Sequence, residues 1–236
     1  MHVVTCFHVI GKKEITTKNN QSFIQYFVSD KIFIVTSSNE RIEAECITAK
    51  TAAAVPLSPQ LSQSNVTHWS EFYDFAILKL KKQPQTKTAG LAFISPKNSP
   101  TVGNDVVFTG FPLESEMFVT FKGMVAGYKD PFICIQAPIN QGSSGSAVLN
   151  NNGEIIGFID RREGAVNAEQ WKELNTPLNP NISFEMAGVD PLKNIKNLLA
   201  TQQKYISPGF GYAISVIYFR EFIKANFPEI KIQVAN

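Results

Sequence analysis

Short apolar runs separated by turn residues recur along most of the chain, and they predict strands. The run Phe118–Val125 alternates between apolar and polar positions, which is the period of a strand with one buried face. The number and spacing of these runs indicate a barrel or a sandwich rather than alternating β-α units. The predicted strands are Phe23–Val28, Lys31–Val35, Arg41–Ile47, Phe75–Leu80, Asp105–Thr109, Phe118–Ala126, Phe132–Gln136, Ala147–Leu149 and Glu154–Ile159.

Helical periodicity is confined to the last quarter of the chain. It predicts one helix over Pro191–Tyr205 and a second over Val216–Phe227, which Pro228 ends. The polar stretch Lys81–Thr88 is the predicted seam between two β modules. We therefore predict an N-terminal module over 1–85 and a C-terminal module over 86–236, the latter with a long insertion at 161–207 and a C-terminal helix.

Composition excludes several classes of protein. Hydrophobic residues make up 44% of the 236 and the net charge is +2, which argues against disorder. Lysine and arginine are scattered, so no basic stripe predicts a nucleic-acid partner. No apolar stretch predicts a membrane span. The first residues lack the features of a secretory signal and the cysteines form no disulfide pattern, which favours a cytoplasmic location but does not assign the compartment.

The three cysteines predict neither a disulfide framework nor a metal centre. Cys6, Cys46 and Cys134 are far apart, and none stands in a Cys-x-x-Cys pair or beside clustered histidines. Buried free thiols are the simpler interpretation. The sequence thus predicts no metal and no cofactor.

Three short motifs carry chemistry. The first places His8 behind an apolar strand (Val4-Thr-Cys-Phe-His-Val), and the second places Asp74 at the start of another (Asp-Phe-Ala-Ile-Leu-Lys-Leu). The third is the small-residue turn Gly142-Ser-Ser-Gly-Ser, followed by the hairpin signal Asn151-Asn-Gly. Each motif alone has an ordinary structural explanation: a polar capping histidine, an aspartate turn, a flexible linker.

Together the motifs supply the parts that acyl transfer by a serine requires. These are a base for the hydroxyl proton, a carboxylate that orients the base, and backbone N–H groups aimed at the developing oxyanion. A glycine two residues before the serine lets the N–H groups of Gly142 and Ser144 face one point. Those two amides are the predicted oxyanion hole.

In these motifs and their order, the chain resembles trypsin-like serine peptidases, most closely the HtrA-type branch. The resemblance covers residues 1–10, about 73–160 and 207–225. It implies an all-β fold of two six-stranded antiparallel Greek-key barrels with a C-terminal helix. It also implies His8 as general base, Asp74 as its orienting carboxylate and Ser144 as nucleophile. Ser143 and Ser146 are the rivals of Ser144, but only Ser144 has glycine both two before and one after it.

The resemblance further implies a polypeptide substrate and the position of its binding pocket. It assigns Ile139 and Asn140 to one wall of that pocket and Gly209, Gly211 and Tyr212 to the other. It assigns the backbone of Asp160, Arg161 and Arg162 to a rail that pairs with the substrate. No carboxylate lies where an enzyme specific for Lys or Arg would need one. Substrates with a small or aliphatic side chain before the scissile bond are therefore expected.

The chain also departs from the family pattern. It begins in the strand that delivers His8, so the first barrel is expected to lack its first strand or strands. The insertion 161–207 is expected to wall or cover the cleft, and a monomer is expected.

Two other functions compete with an endopeptidase. One is a catalytically weak or inactive fold that serves as a peptide-binding or scaffold module. The other is an esterase, which is disfavoured because a hairpin follows the serine, where an α/β-hydrolase has a helix.

Overall fold

The structure, a computed structural model, describes residues 1–18, 21–48, 55–57, 74–85, 93–94, 100–112, 115, 117–163, 188–205 and 209–234. Strand is the commonest secondary structure of the described chain, as the alternation of apolar and polar positions predicts. The strands are β1 (His2–Thr5), β2 (Gly11–Lys18), β3 (Gln21–Val28), β4 (Ile32–Val35), β5 (Arg41–Cys46), β6 (Val55–Leu57), β7 (Ala76–Leu80), β8 (Asp105–Gly110), β9 (Val119–Lys129), β10 (Phe132–Gln136), β11 (Ala147–Asn150), β12 (Ile155–Arg162) and β13 (Phe210–Ser215).

The C-terminal strands close into a six-stranded antiparallel barrel. Its strand order is β10-β13-β12-β11-β8-β9. The hairpin β11–β12 turns at Asn151–Gly153, where Gly153 has φ of 74°, as the Asn-Asn-Gly signal predicts. The second barrel of the expected fold is thereby confirmed.

The N-terminal strands form open sheets. Four strands pair in the order β1-β7-β5-β4, and the described parts of β2, β3 and β6 form a second, three-stranded sheet. No closed barrel is assigned within the described residues of this half.

Strand β7 packs against both hydrophobic cores. Ala76, Leu78 and Leu80 belong to the N-terminal core. Ile77, on the opposite face of the strand, belongs to the core that fills the barrel. Since successive side chains of a strand point to opposite faces, one buried strand can join two cores.

Three helices complete the described structure: α1 (Phe7–Ile10), α2 (Pro191–Tyr205) and α3 (Val216–Asn226). Ser215 caps the N-terminus of helix α3, because its hydroxyl accepts the amide of Ile217. The helix packs Val216, Phe219 and Ile223 into the barrel core. The apolar side chains of α2 are exposed: Leu192, Ile195, Leu198 and Leu199. No helix in the described part of the chain combines the length and apolarity needed to span a membrane.

Candidate active site

His8 and Asp74 meet because β1 and β7 are antiparallel neighbours. Thr5 lies opposite Ala76, so the residues that follow β1 reach those that precede β7. The sequence predicts that His8 stands at the end of its strand, but β1 already ends at Thr5. His8 lies in the single helical turn α1, one turn further along the chain. The amide of Phe7 donates to the carbonyl of Asp74 at 3.2 Å and fixes this approach.

The Asp74 carboxylate holds His8 by two hydrogen bonds. Oδ1 accepts the backbone amide of His8 at 3.0 Å, and Oδ2 pairs with the ring Nδ1. An ionised carboxylate only accepts hydrogen bonds, so Nδ1 carries the proton and Nε2 keeps its lone pair. The ring is thus held in the tautomer that a general base requires.

Ser144 lies in a tight turn between β10 and β11 that two glycines shape. Gly142 has φ of 92° and Gly145 has φ of 83°, a region that side-chain-bearing residues rarely adopt. A side chain on Gly142 would also overlap the carbonyl of Phe111. Both glycines of the predicted motif are therefore required by the backbone.

The three serines of the turn have different surroundings. Ser143 is fully buried, and its hydroxyl has no hydrogen-bond partner in the part of the chain that the structure describes. Ser144 lines the cleft together with His8 and Asp74, whereas Ser143 and Ser146 are not among the cleft residues. Its Oγ donates to the carbonyl of Asp160 at 3.3 Å.

The backbone of the turn leaves two amides unused. Those of Ser143, Gly145 and Ser146 donate to carbonyls at 3.1, 2.8 and 3.1 Å. Those of Gly142 and Ser144 donate to no backbone carbonyl of the described residues. These two amides, the ones predicted to form the oxyanion hole, thus have no backbone acceptor among the described residues.

The two halves of the molecule touch directly behind these groups. The thiol of Cys6 donates to the carbonyl of Ile159 at 3.0 Å, which links the residue before α1 to β12. Gly145 lies so close to Thr5 that a side chain there would overlap the Thr5 hydroxyl. These contacts bring the serine turn against the segment that carries the histidine.

The cleft that results has a volume of about 660 Å³. It brings together eight residues that the sequence analysis singled out, namely His8, Asp74, Ile139, Asn140, Ser144, Asp160, Arg161 and Arg162. It also includes Phe7, Gly11, Lys12 and Gln141, which the sequence analysis did not propose. Lys12 and Gly11 belong to β2, a strand that the hydrophobic pattern did not predict.

The other proposed wall lies beside the cleft rather than in its lining. A side chain on Gly211 would come within 2.6 Å of Ile139 Cδ1, so Gly211 provides the space that Ile139 fills. Gly209 borders a separate cavity beside Asp105 and Lys122. Tyr212 pairs with Arg161 across β13 and β12, and its hydrogen bond to Glu163 raises the pKa of its phenol.

Asp160 contributes a second carboxylate to the site. Asp160 is only 5% exposed. Four groups each place one potential ligand atom within 4.8 Å of the others: the Asp160 carboxylate, the Asp74 carboxylate, the His8 ring and the Cys6 sulfur. Two of these four groups, the His8 ring and the Asp74 carboxylate, are the ones that pair with each other.

Comparison with known proteins identifies the family. Residues 1–158 match the trypsin-like peptidase domain, which is about two thirds of the chain. The chain belongs to the family of trypsin-like peptidase domains, a family of serine proteases, as its three motifs predicted. No curated protein matches it.

Solved structures of HtrA-type proteases are similar to the chain at low sequence identity. The serine endoprotease from Yersinia pestis is 17% identical with a TM-score of 0.47, and the alignment covers 95% of this chain and 53% of that one. The HtrA-type protease AlgW with a decapeptide is 16% identical with a TM-score of 0.48, covering 95% and 47%. The chain spans about half the length of each.

Proposed function

We propose that the protein is a serine endopeptidase that cleaves peptide bonds through an acyl-enzyme. The observation that carries the proposal is the pairing of His8 with Asp74 in the cleft that Ser144 lines. In this scheme His8 Nε2 takes the proton of the Ser144 hydroxyl as Oγ attacks the substrate carbonyl, and Asp74 stabilises the imidazolium. The imidazolium then returns the proton to the leaving amine.

The oxyanion is stabilised by the amides of Gly142 and Ser144. Both are fixed by the backbone of the turn before the reaction, so they need no reorganisation as charge develops on the oxygen. The Ser144 hydroxyl must turn from the Asp160 carbonyl towards His8 for proton transfer. A bound substrate that fills the cleft would favour that rotamer.

The residues of the cleft support a preference for small or aliphatic side chains before the scissile bond. Ile139 is 1% exposed and occupies the space above Gly211, which leaves a shallow apolar wall. Lys12, Arg161 and Arg162 line the same cleft and disfavour a cationic side chain. We therefore expect peptides with Ala or Val at this position to be cleaved faster than those with Lys.

A fluorophosphonate probe tests the proposal, because it reacts only with a serine activated in this way. We expect the protein to be labelled and Ser144→Ala to abolish labelling. Ser143→Ala is the matched control: it changes the neighbouring buried serine and should be labelled like the unchanged protein. Labelling of Ser144→Ala, or none of the folded unchanged protein, would contradict the proposal.

The second candidate is a peptide-binding module without catalysis. The hydrogen bond from Ser144 Oγ to the Asp160 carbonyl favours it, since the hydroxyl is engaged away from the base. A folded protein that binds peptides in the cleft but resists the probe would support this function instead.

A further inference from the structure

Asp160 contacts or approaches all three groups of the proposed triad. Its carbonyl accepts the Ser144 hydroxyl at 3.3 Å. Its carboxylate lies within 4.8 Å of both the His8 ring and the Asp74 carboxylate. The sequence predicts a role only for the Asp160 backbone, because nothing in it shows that the side chain turns inward.

A β-bulge turns that side chain into the site. Ile159 pairs with Ala213 of β13, and Arg161 pairs with Tyr212, so Asp160 is the extra residue between two paired neighbours. Bulges of this kind redirect one side chain without breaking the strand. The bulge is held in place by Ile159, whose carbonyl accepts Cys6 Sγ at 3.0 Å and Gly145 N at 2.8 Å.

The charged and titratable groups around Asp160 come from several segments of the chain. Asp74 lies ahead of β7, His8 in α1 and Cys6 ahead of α1, while Lys12 of β2 and Arg162 of β12 line the same cleft. Arg161 Nε lies 3.5 Å from Asp160 Oδ2. The Arg161 side chain is 58% exposed, so water screens its charge more than that of the buried carboxylate.

We propose that Asp160 is a positioning residue for His8, a second carboxylate whose negative charge favours the protonated imidazole. The inference rests on the proposed function, in which His8 must accept a proton during attack. A carboxylate at this distance stabilises the imidazolium that forms as Ser144 attacks. The same charge keeps the free ring protonated to a higher pH, so the base becomes available only at higher pH than beside a neutral residue.

Proton NMR of the His8 ring tests the inference without relying on activity. The titration is recorded for Ser144→Ala and for Ser144→Ala combined with Asp160→Asn, and His8→Ala identifies the ring signal. We expect the titration midpoint to fall by about one pH unit or more when the Asp160 charge is removed. Arg161→Gln should move it in the opposite direction, because a cation near Asp160 is lost.

Labelling by the fluorophosphonate probe then measures the consequence for reactivity. The pH at half-maximal labelling rate should fall by a similar amount in Asp160→Asn, and the plateau rate should drop by roughly tenfold as the imidazolium loses its second carboxylate. Asp160→Ser serves if Asp160→Asn does not fold. Asp105→Asn, which changes a partly exposed aspartate of β8 outside the cleft, is the control and should leave both midpoints unchanged.

An unchanged His8 midpoint in folded Asp160→Asn would overturn the inference. So would a lower plateau rate with an unmoved midpoint, which is the sign of a purely structural role. If the unchanged protein is not labelled at any pH, the proposed function fails. The NMR titration would still decide what Asp160 does to His8.

Discussion

Asp74 binds His8 through the backbone amide and through the ring, so one carboxylate fixes both the position and the tautomer of the proposed base. Its side chain is 19% exposed, whereas that of His8 is 47% exposed. The acid is therefore largely shielded from solvent, and the base remains accessible to a substrate.

Asp74→Asn should lower the labelling rate and kcat/KM by about 10⁴-fold, because an amide can stabilise the wrong tautomer of His8 and carries no charge. The measurement is the second-order rate of fluorophosphonate labelling. Asp105→Asn, which changes an aspartate on β8 outside the cleft, should retain the full rate. A loss below roughly tenfold in Asp74→Asn would contradict the role assigned to Asp74.

Gly142→Ala should remove most of the activity while Gly103→Ala retains it. Both glycines have φ near 90°, but only at Gly142 would the added Cβ overlap another atom, the Phe111 carbonyl oxygen. The displaced amide would cost about 10²–10³ in labelling rate. At Gly103 nothing lies within 4 Å, so the change should cost only about 1–2 kcal/mol of unfolding free energy.

Equal labelling of the Gly142→Ala and Gly103→Ala proteins would show that the Gly142 amide is not used. Urea unfolding of both variants separates a displaced amide from a general loss of stability. Since the two glycines have nearly the same positive φ, the difference between the variants reports the overlap with Phe111.

Among the strands and helices, the elements with a clear hydrophobic period are the ones that the sequence places correctly. Strand β10 and helix α2 lie at the predicted residues, and most other predicted strands differ at their ends by one to three residues. The missed elements lack a continuous apolar pattern: β2 reads Gly-Lys-Lys-Glu-Ile-Thr-Thr-Lys, and β13 reads Phe-Gly-Tyr-Ala-Ile-Ser, with a single glycine, Gly211, inside it. Helix α1 is only four residues long, too short to show a period.

The sequence predicts those residues of the candidate site that stand in short contiguous motifs. The glycines around Ser144 and the acid before β7 are visible in sequence because turn chemistry demands them. The cleft roles of Asp160 and Lys12 were not visible, since one depends on a bulge and the other on pairing between distant strands. The predicted cover of the cleft by 161–207 stays a prediction, because residues 164–187 and 206–208 lie outside those described.

Glu40 joins the turn before β5 to the segment after β7. Its Oε2 accepts the amide of Gln85 at 2.8 Å, and its Oε1 lies 2.9 Å from Lys82 Nζ. The hydrogen bond from Gln85 and then the Lys82 ammonium lower the pKa of the Glu40 carboxyl below its usual 4.5. The folded state therefore favours the ionised carboxylate.

This stabilisation should be present above about pH 4.5 and be lost as the pH falls through the lowered pKa of the folded state. When the pH is lowered from about 6 to about 3, the free energy of unfolding should therefore fall less in Glu40→Gln than in the unchanged protein. Urea midpoints at the two pH values measure the difference. Glu43→Gln, which removes a carboxylate 2.5 Å from the exposed Lys81 ammonium, is the comparison, and an equal pH response of both variants would refute the prediction.

In the molecule as a whole, the two hydrophobic cores have one strand in common, β7. Strand β7 gives Leu78 to the N-terminal core and Ile77 to the barrel core, and Cys6 bonds to the barrel strand β12. The proposed triad draws on both halves, with His8 and Asp74 from one and Ser144 from the other. Its geometry therefore depends on the same contacts that couple the cores.

We expect this coupling to make the protein unfold in one cooperative transition. Leu78→Ala in the N-terminal core and Ile156→Ala in the barrel core should each lower the free energy of unfolding by about 2–5 kcal/mol. Because β7 cannot leave one core without disturbing the other, both variants should shift the same single transition, with circular dichroism and probe labelling lost together. Lys79→Ala, at the exposed position of β7, should change stability by only about 0.5 kcal/mol. Two separate transitions, with each variant moving only one of them, would show that the halves fold independently and that the cleft between them is held by something other than β7.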